Sequence, residues 1–156
     1  MGNCVFCDPD KLAQSAKLEN SEYFTLRLDP NPVNFGHILI IPNQHVENID
    51  GLTPEEMKKL KNRISDAKEK VEEHKDVKDQ YFEILKKGNE KSEEMIKSVI
   101  GEKRSPNGFN IGINEGEAAG QTIDHLHVHI IPRYEEDVEN PEGGVRTVIP
   151  DRADYT

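Results

Sequence analysis

The chain has 156 residues, 34% of them apolar, and a formal net charge of −10 at neutral pH. That length suits one domain around one core, and the charge argues against a nucleic-acid backbone as the main partner. No apolar run approaches the roughly 18 residues of a membrane-spanning helix, so no membrane partner is expected either.

The N-terminus reads M-G-N-C-V-F-C-D. It has neither a basic stretch nor an apolar core behind it, so no signal peptide is expected. Gly2 invites myristoylation, but Phe6 stands where that motif needs Ser or Thr. Two cysteines without an export signal point to a reducing, cytoplasmic setting and no disulfide framework. Cys4-x-x-Cys7 is either a redox pair or half a zinc site. Redox pairs sit at strand-to-helix junctions, and no strand precedes this one. Zinc would need two more ligands, which must be histidines because no other cysteine exists. His37, His45, His74 and the three histidines near the C-terminus are the candidates.

Glu22 to Asp29 reads as a first strand, and P-N-P-V-N-F-G after it as turn material. Gly36 to Pro42 is a second, buried-looking strand. Thr53-Pro54-Glu55-Glu56 opens a helix, with Thr53 as N-cap, Pro54 at the first position and Glu56 completing a capping box. Met57, Leu60, Ile64, Ala67 and Val71 follow as an apolar stripe. The segment stays rich in Lys and Glu to Arg104, with a break expected near Gly88-Asn89 and only weak periodicity from Tyr81 to Ile100. Asn107 to Asn114 reads as a third strand and Asp124 to Pro132 as a fourth. Strands, a long helical segment, then strands again give an α+β fold, an antiparallel sheet with helices on one face.

The fourth strand carries the most informative feature. His125, His127 and His129 alternate with Leu126, Val128 and Ile130. On a strand, alternate side chains share a face at about 6.5–7 Å. Three imidazoles so spaced can surround one phosphate, and histidine serves as nucleophile, acid or base near neutrality. The loop before them, G-E-A-A-G-Q-T from Gly116 to Thr122, is made of small residues whose backbone N–H groups can cradle a phosphate. A three-histidine catalytic metal site is the competing chemistry for these imidazoles.

Together these residues resemble the histidine-triad (HIT) family. H-L-H-V-H-I-I meets the family's alternating motif in full. F-N-I-G-I-N-E-G-E-A-A-G-Q-T resembles its phosphate strand and loop, F-G-H-I-L-I-I-P its second strand, and C-V-F-C the start of its zinc-bearing bacterial and archaeal members. The resemblance implies a nucleotide hydrolase, usually a homodimer whose sheets join into one. His127 would attack the α-phosphate and form a nucleotidyl-histidine intermediate. His129 would donate to the leaving oxygen and His125 would orient His127. Asn114, Gln121 and Thr122 would hold the phosphate, Asp29 the ribose hydroxyls, and Val5 and Phe6 the base. The zinc ligands would be Cys4, Cys7, His45 and His125, and a polyphosphate substrate would bring Mg with it. His37 falls where the family often has a buried histidine, either an orienting group or a core residue.

Three departures from the family pattern stand out. The connection at about 53–104 is longer than a single helix. Arg27 occupies a position that is often aromatic in phosphoramidase members. I-I-P-R and G-G-V-R resemble the dinucleoside-polyphosphate hydrolases, and His129 is retained where the transferase branch has Gln. The expectation is a cytoplasmic single-domain hydrolase of dinucleoside polyphosphates, spanning 1–156 with a helical insert and an acidic tail at 135–156. In that tail Arg146 is the candidate cation for the distal phosphates. The alternatives are a nucleoside phosphoramidase and a nucleotide-binding adaptor with little turnover.

Overall fold

A computed structural model of the chain describes residues 4–8, 17–73, 77, 79–80 and 105–150. Among the described residues, five strands form one antiparallel sheet: β1 (Lys17–Asn20), β2 (Phe24–Leu28), β3 (Ile38–Pro42), β4 (Gly108–Ile113) and β5 (Val128–Arg133), in the spatial order β1-β2-β3-β5-β4. One long helix, α1 (Pro54–Glu73), packs on β2, β3 and β5. The architecture is α+β, with an antiparallel sheet and its main helix on one face. Among the described residues no helix is long and apolar enough to cross a membrane.

The register sorts the two faces. Ile130, Ile38 and Leu28 form one cross-strand row, and Val128, Ile40 and Leu26 the next. All six are buried with Phe24, and Leu60, Ala67 and Val71 of α1 meet them as the core. Ala67 keeps the helix axis close to the sheet because it has little side chain to hold the two layers apart. Gly36 does the same at the turn into β3. Its φ is +84°, and a Cβ there would stand 2.6 Å from Cγ1 of Val71, so only glycine fits. The opposite face carries the row Gly112, His129, Leu39, Arg27 and Lys17.

The helix starts as expected. Glu56 accepts from the Thr53 backbone N–H at 2.7 Å, and Glu56 N–H donates to Thr53 Oγ1 at 3.3 Å, a reciprocal capping box. Glu56 is itself buried and accepts from Gln44 at 2.7 Å. Of the expected stripe, Met57 is instead 41% exposed.

Two boundaries differ from expectation. β1 was not anticipated. K-L-E-N has one apolar residue, and its order comes from pairing with β2 and from Glu19, which meets Arg63 at 2.7 Å and Lys70 at 2.9 Å on α1. The expected strand from Asp124 begins only at Val128. Upstream, the backbone is committed elsewhere: Leu126 N–H donates to Val46 O at 2.6 Å, and the carbonyl of His125 serves a side chain. His74, Gly88-Asn89 and the stretch from Tyr81 to Ile100 lie outside the described residues.

Candidate functional site

The three alternating histidines do gather on one side, with only His129 inside the strand. Leu126, Val128 and Ile130 are buried on the other side, as the alternation requires. His125 and His127 are buried too, at 1% and 7% exposure, so this row is not a solvated face. The rings of His127 and His129 are 5.0 Å apart.

Hydrogen bonds to the backbone decide where each proton sits. Nδ1 of His127 lies 2.8 Å from the carbonyl oxygen of His125. A carbonyl only accepts, so Nδ1 carries the hydrogen and Nε2 of neutral His127 keeps its lone pair. A second chain sets His129. The backbone N–H of Val33 donates to Nδ1 of His37 at 3.2 Å, which leaves the hydrogen of His37 on Nε2. That nitrogen is 3.0 Å from Nδ1 of His129 and donates to it. His129 then carries its own hydrogen on Nε2, which is buried and meets no hydrogen-bond partner among the described residues. Burial, with His129 and His127 alongside, pushes His37 down to about 3. Burial and His127 push His129 down to about 4. Both are neutral near pH 7, as the chain of bonds requires. His37 is thereby drawn into the site. In the sequence its signal was a lone histidine opening an apolar strand, which a core residue would also give.

Asp29 lies at the same end. Its Oδ1 accepts from Asn31 N–H at 2.8 Å, and its Oδ2 is 3.5 Å from Nδ1 of His37. Burial raises its carboxyl above the usual range. Asp29, His37 and His129 bring ligand-type atoms within 4.8 Å of one another. Both nitrogens of His37 already make hydrogen bonds, to Val33 N–H and His129, so this group is not read as a metal seat.

The second cluster has different chemistry. Cys4, Cys7, His45 and His125 place one ligand atom each within 4.8 Å of all the others. Nδ1 of His125 is 3.4 Å from Sγ of Cys4 and 3.5 Å from Sγ of Cys7, and Nδ1 of His45 is 3.4 Å from Sγ of Cys7. Zinc–sulfur and zinc–nitrogen bonds of about 2.3 and 2.0 Å meeting at the tetrahedral angle give a sulfur–nitrogen edge of about 3.5 Å. The cluster therefore has the dimensions of a closed zinc site. Nε2 of His125 donates to Pro42 O at 2.9 Å, so Nδ1 points its lone pair at the sulfurs. Burial, with Cys4 beside it, pushes the Cys7 thiol up. Two thiolates beside one divalent ion are neutral overall, which removes that penalty. The donors fit zinc.

The turn Val5–Cys7 spans these ligands. Phe6 packs edge-on against His125 and His127 at ring distances of 5.7 and 5.3 Å. Val5 is 39% exposed. In the small-residue loop, Gly116 and Gly120 have φ of +82° and +87° around the turn Glu117–Ala119. Gln121 braces the loop, accepting from Gly116 N–H at 2.7 Å and donating to the carbonyls of Glu47 and Ile123 at 2.9 and 3.2 Å. Its amide thus braces the loop and ties it to Glu47. Asn114 reaches the same loop, its Nδ2 lying 3.8 Å from where a Cβ on Gly120 would stand, and Thr122 is exposed. Arg146 is in the exposed turn Gly144–Val148, which packs on β4. Gly144 approaches Asn110, a neighbour of Ile131 on the histidine face of β4.

The HIT domain family matches residues 11–136 of the chain. "Protein hit" of Bacillus subtilis is 34% identical over 136 residues, covering 85% of this chain and 72% of that protein. The crystal structure of a hypothetical histidine triad nucleotide-binding protein from Sulfolobus tokodaii is 27% identical. It covers 85% of this chain and 70% of that one at a TM-score of 0.58. A bis(5'-adenosyl)-triphosphatase of Dictyostelium discoideum is 29% identical over 136 residues, 87% of this chain and 72% of that enzyme. An asymmetrical bis(5'-nucleosyl)-tetraphosphatase of Schizosaccharomyces pombe is 33% identical over 106 residues, 68% of this chain and 42% of that protein. An adenylylsulfatase of Arabidopsis thaliana is 28% identical over 136 residues, 86% of this chain and 54% of that protein.

Proposed function

The chain belongs to the HIT family, and on that premise we propose that it is a nucleotide hydrolase acting on dinucleoside polyphosphates through a nucleotidyl-histidine intermediate. The observation that carries this reading is the opposite protonation of two neighbouring rings. His127 keeps a bare Nε2 while His129 keeps a protonated one. A nucleophile and a hydrogen-bond donor are thus side by side at neutral pH. The relatives named as nucleotide hydrolases support the reaction class.

Nε2 of His127 attacks the α-phosphorus. The bond from phosphorus to the bridging oxygen breaks, and the Nε2–H of neutral His129 donates a hydrogen bond to that oxygen as it takes up negative charge. The charge gained by the His127 ring is held by the carbonyl of His125 at Nδ1. Water then attacks the phosphorus and releases a proton to solvent. The phosphorus–nitrogen bond breaks and the mononucleotide leaves. Asp29 takes the ribose hydroxyls, and Phe6 and Val5 wall the base. Asn114, Thr122 and the loop braced by Gln121 hold the phosphate. Arg146 meets the distal phosphates, which travel with Mg.

Cys4, Cys7, His45 and His125 would hold a zinc ion, which supplies a cross-link between the N-terminal turn and the histidine segment. The open outer edge of β4 is where two copies would join their sheets. We read residues 1–156 as one HIT domain with a helical insert and an acidic tail, working in the cytoplasm.

The test is a substrate labelled at the α-phosphate and quenched in alkali. Acid-labile label should appear on the wild type. His127→Ala should show none, with turnover reduced by several orders of magnitude. Equal label on both proteins would overturn the assignment. Parallel assays with a nucleoside phosphoramidate decide between a phosphate and an amine leaving group.

A further inference from the structure

We propose that Cys4 and Cys7 are a reversible oxidation site, whose closure as a disulfide gives up the metal seat and releases the wall of the nucleotide pocket. The catalytic consequence rests on the function proposed above. The thiol and metal consequences stand without it.

The geometry points there from three sides. First, the thiols are within bridging reach. Cys7 N–H donates to Cys4 O at 3.1 Å, closing a tight turn. Such a turn holds the two Cα atoms within about 7 Å, the range a disulfide spans. Both sulfurs lie against the same atom, Nδ1 of His125, at 3.4 and 3.5 Å. Second, an oxidant can reach them, since Cys7 is exposed and Cys4 half-buried. Third, the turn is not part of the packed core among the described residues. It belongs to no strand and has no buried residue. Yet it supplies Phe6, whose ring lies 5.3 Å from that of His127. The imidazole shared by both sulfurs belongs to His125, whose carbonyl sets the tautomer of His127 at 2.8 Å. Two routes therefore lead from the dithiol to the nucleophile, one through Phe6 and one through His125.

Metal binding and disulfide formation exclude each other, because a disulfide sulfur has lost the thiolate charge that binds the ion. The oxidant is a hydroperoxide. The thiolate of Cys7 attacks the terminal peroxide oxygen, the O–O bond breaks, and the departing alkoxide or hydroxide takes a proton. Cys7 is then a sulfenic acid. The thiolate of Cys4 attacks the Cys7 sulfur and expels hydroxide, which is protonated to water. Two sulfurs lose two electrons in all, and the peroxide gains them. The metal leaves in its original oxidation state. A dithiol reductant restores both thiols.

The test uses the full chain, reduced and loaded with zinc, and hydrogen peroxide. Intact mass follows the disulfide, a coloured chelator follows zinc, melting follows the fold, and turnover follows the site. Zinc should appear in step with an intramolecular disulfide. The melting temperature should fall, and kcat/KM should drop roughly 10- to 100-fold, the range for losing support behind a site. Dithiothreitol with zinc should restore all of these; dithiothreitol with a chelator should restore the thiols alone. The Cys4→Ser, Cys7→Ser double variant should start low and show no further response. A disulfide that leaves zinc in place would overturn the proposal. So would a disulfide formed between two chains, or a double variant that loses activity to peroxide as the wild type does. Reduced, zinc-loaded protein that turns over no nucleotide would defeat the proposed function. Zinc release and melting would still decide the switch.

Discussion

At the scale of single residues, the site is a matter of which ring nitrogen holds a hydrogen. His127 and His129 have the same side chain on neighbouring positions of one face. They differ because one ring meets a carbonyl and the other meets the N–H of another histidine. Removing that second contact should be visible in the kinetics. His37→Asn should lower kcat roughly 10- to 100-fold while KM changes little, as for lost outer support. The loss should shrink for a better leaving group, one that needs little hydrogen-bond stabilisation, a split that simple destabilisation would not give. His37 also makes stability depend on acid. Its folded value of about 3 lies below the ordinary 6.5. Between those values the unfolded chain binds more protons than the folded one. Stability therefore falls as pH drops from 6.5 toward 3 and is level above 6.5 for this group, at most about 1.4 kcal/mol per pH unit. Urea midpoints at pH 7.5 and pH 5 should differ more for the wild type than for His37→Asn. Equal differences would mean that His37 is protonated in the fold.

Among the elements, α1 announced its own start because a capping box is local chemistry, three residues apart. Thr53→Ala should cost about 1 kcal/mol, the usual value of an N-cap, measured by denaturant unfolding. Gly36 makes the complementary point. Its φ of +84° and the 2.6 Å approach to Val71 join a turn to a helix 35 residues further along, and no local pattern reports that contact. Gly36→Ala should cost more than the cap, roughly 1–3 kcal/mol from backbone strain alone and further through the clash. A variant as stable as wild type would show that α1 can shift from the sheet. The strand β1 lacks any alternating pattern because its pairing and ion pairs, not its apolar content, hold it in place.

For the molecule as a whole, the decisive join is between the N-terminal turn and a segment more than a hundred residues away. Metal analysis should find about one zinc per chain, the count for one closed tetrahedral site. A strong chelator should lower the melting temperature, because ligands from distant segments meet only when folded. Unchanged melting after complete zinc removal would leave the cross-link without a structural role. The tail poses the electrostatic question. A chain of net charge −10 must hold a polyanion by local cations. Arg146→Ala should raise KM for a tetraphosphate-bridged substrate more than for a mononucleotide ester. Equal effects would place Arg146 away from the distal phosphates.

The sequence by itself was enough for the α+β class, the strand-borne histidine row, the capped helix and the pairing of C-x-x-C with histidines. The first three rest on short-range patterns, which follow from backbone geometry, and the last on elimination, since the chain has no other cysteine. Which histidines meet the sulfurs, and that His125 orients His127, were implied only by the family resemblance; which carbonyl fixes His125 and which amide sets His37, and through it His129, were decided only by the tertiary structure. Those partners are backbone groups of Pro42 and Val33, and nearly every residue type carries the same groups, so no letter in the chain marks them. The burial of His125 and His127 was decided in the same way. Alternation tells which residues share a side, but what covers that side depends on Phe6 and the N-terminal turn arriving from the far end of the chain.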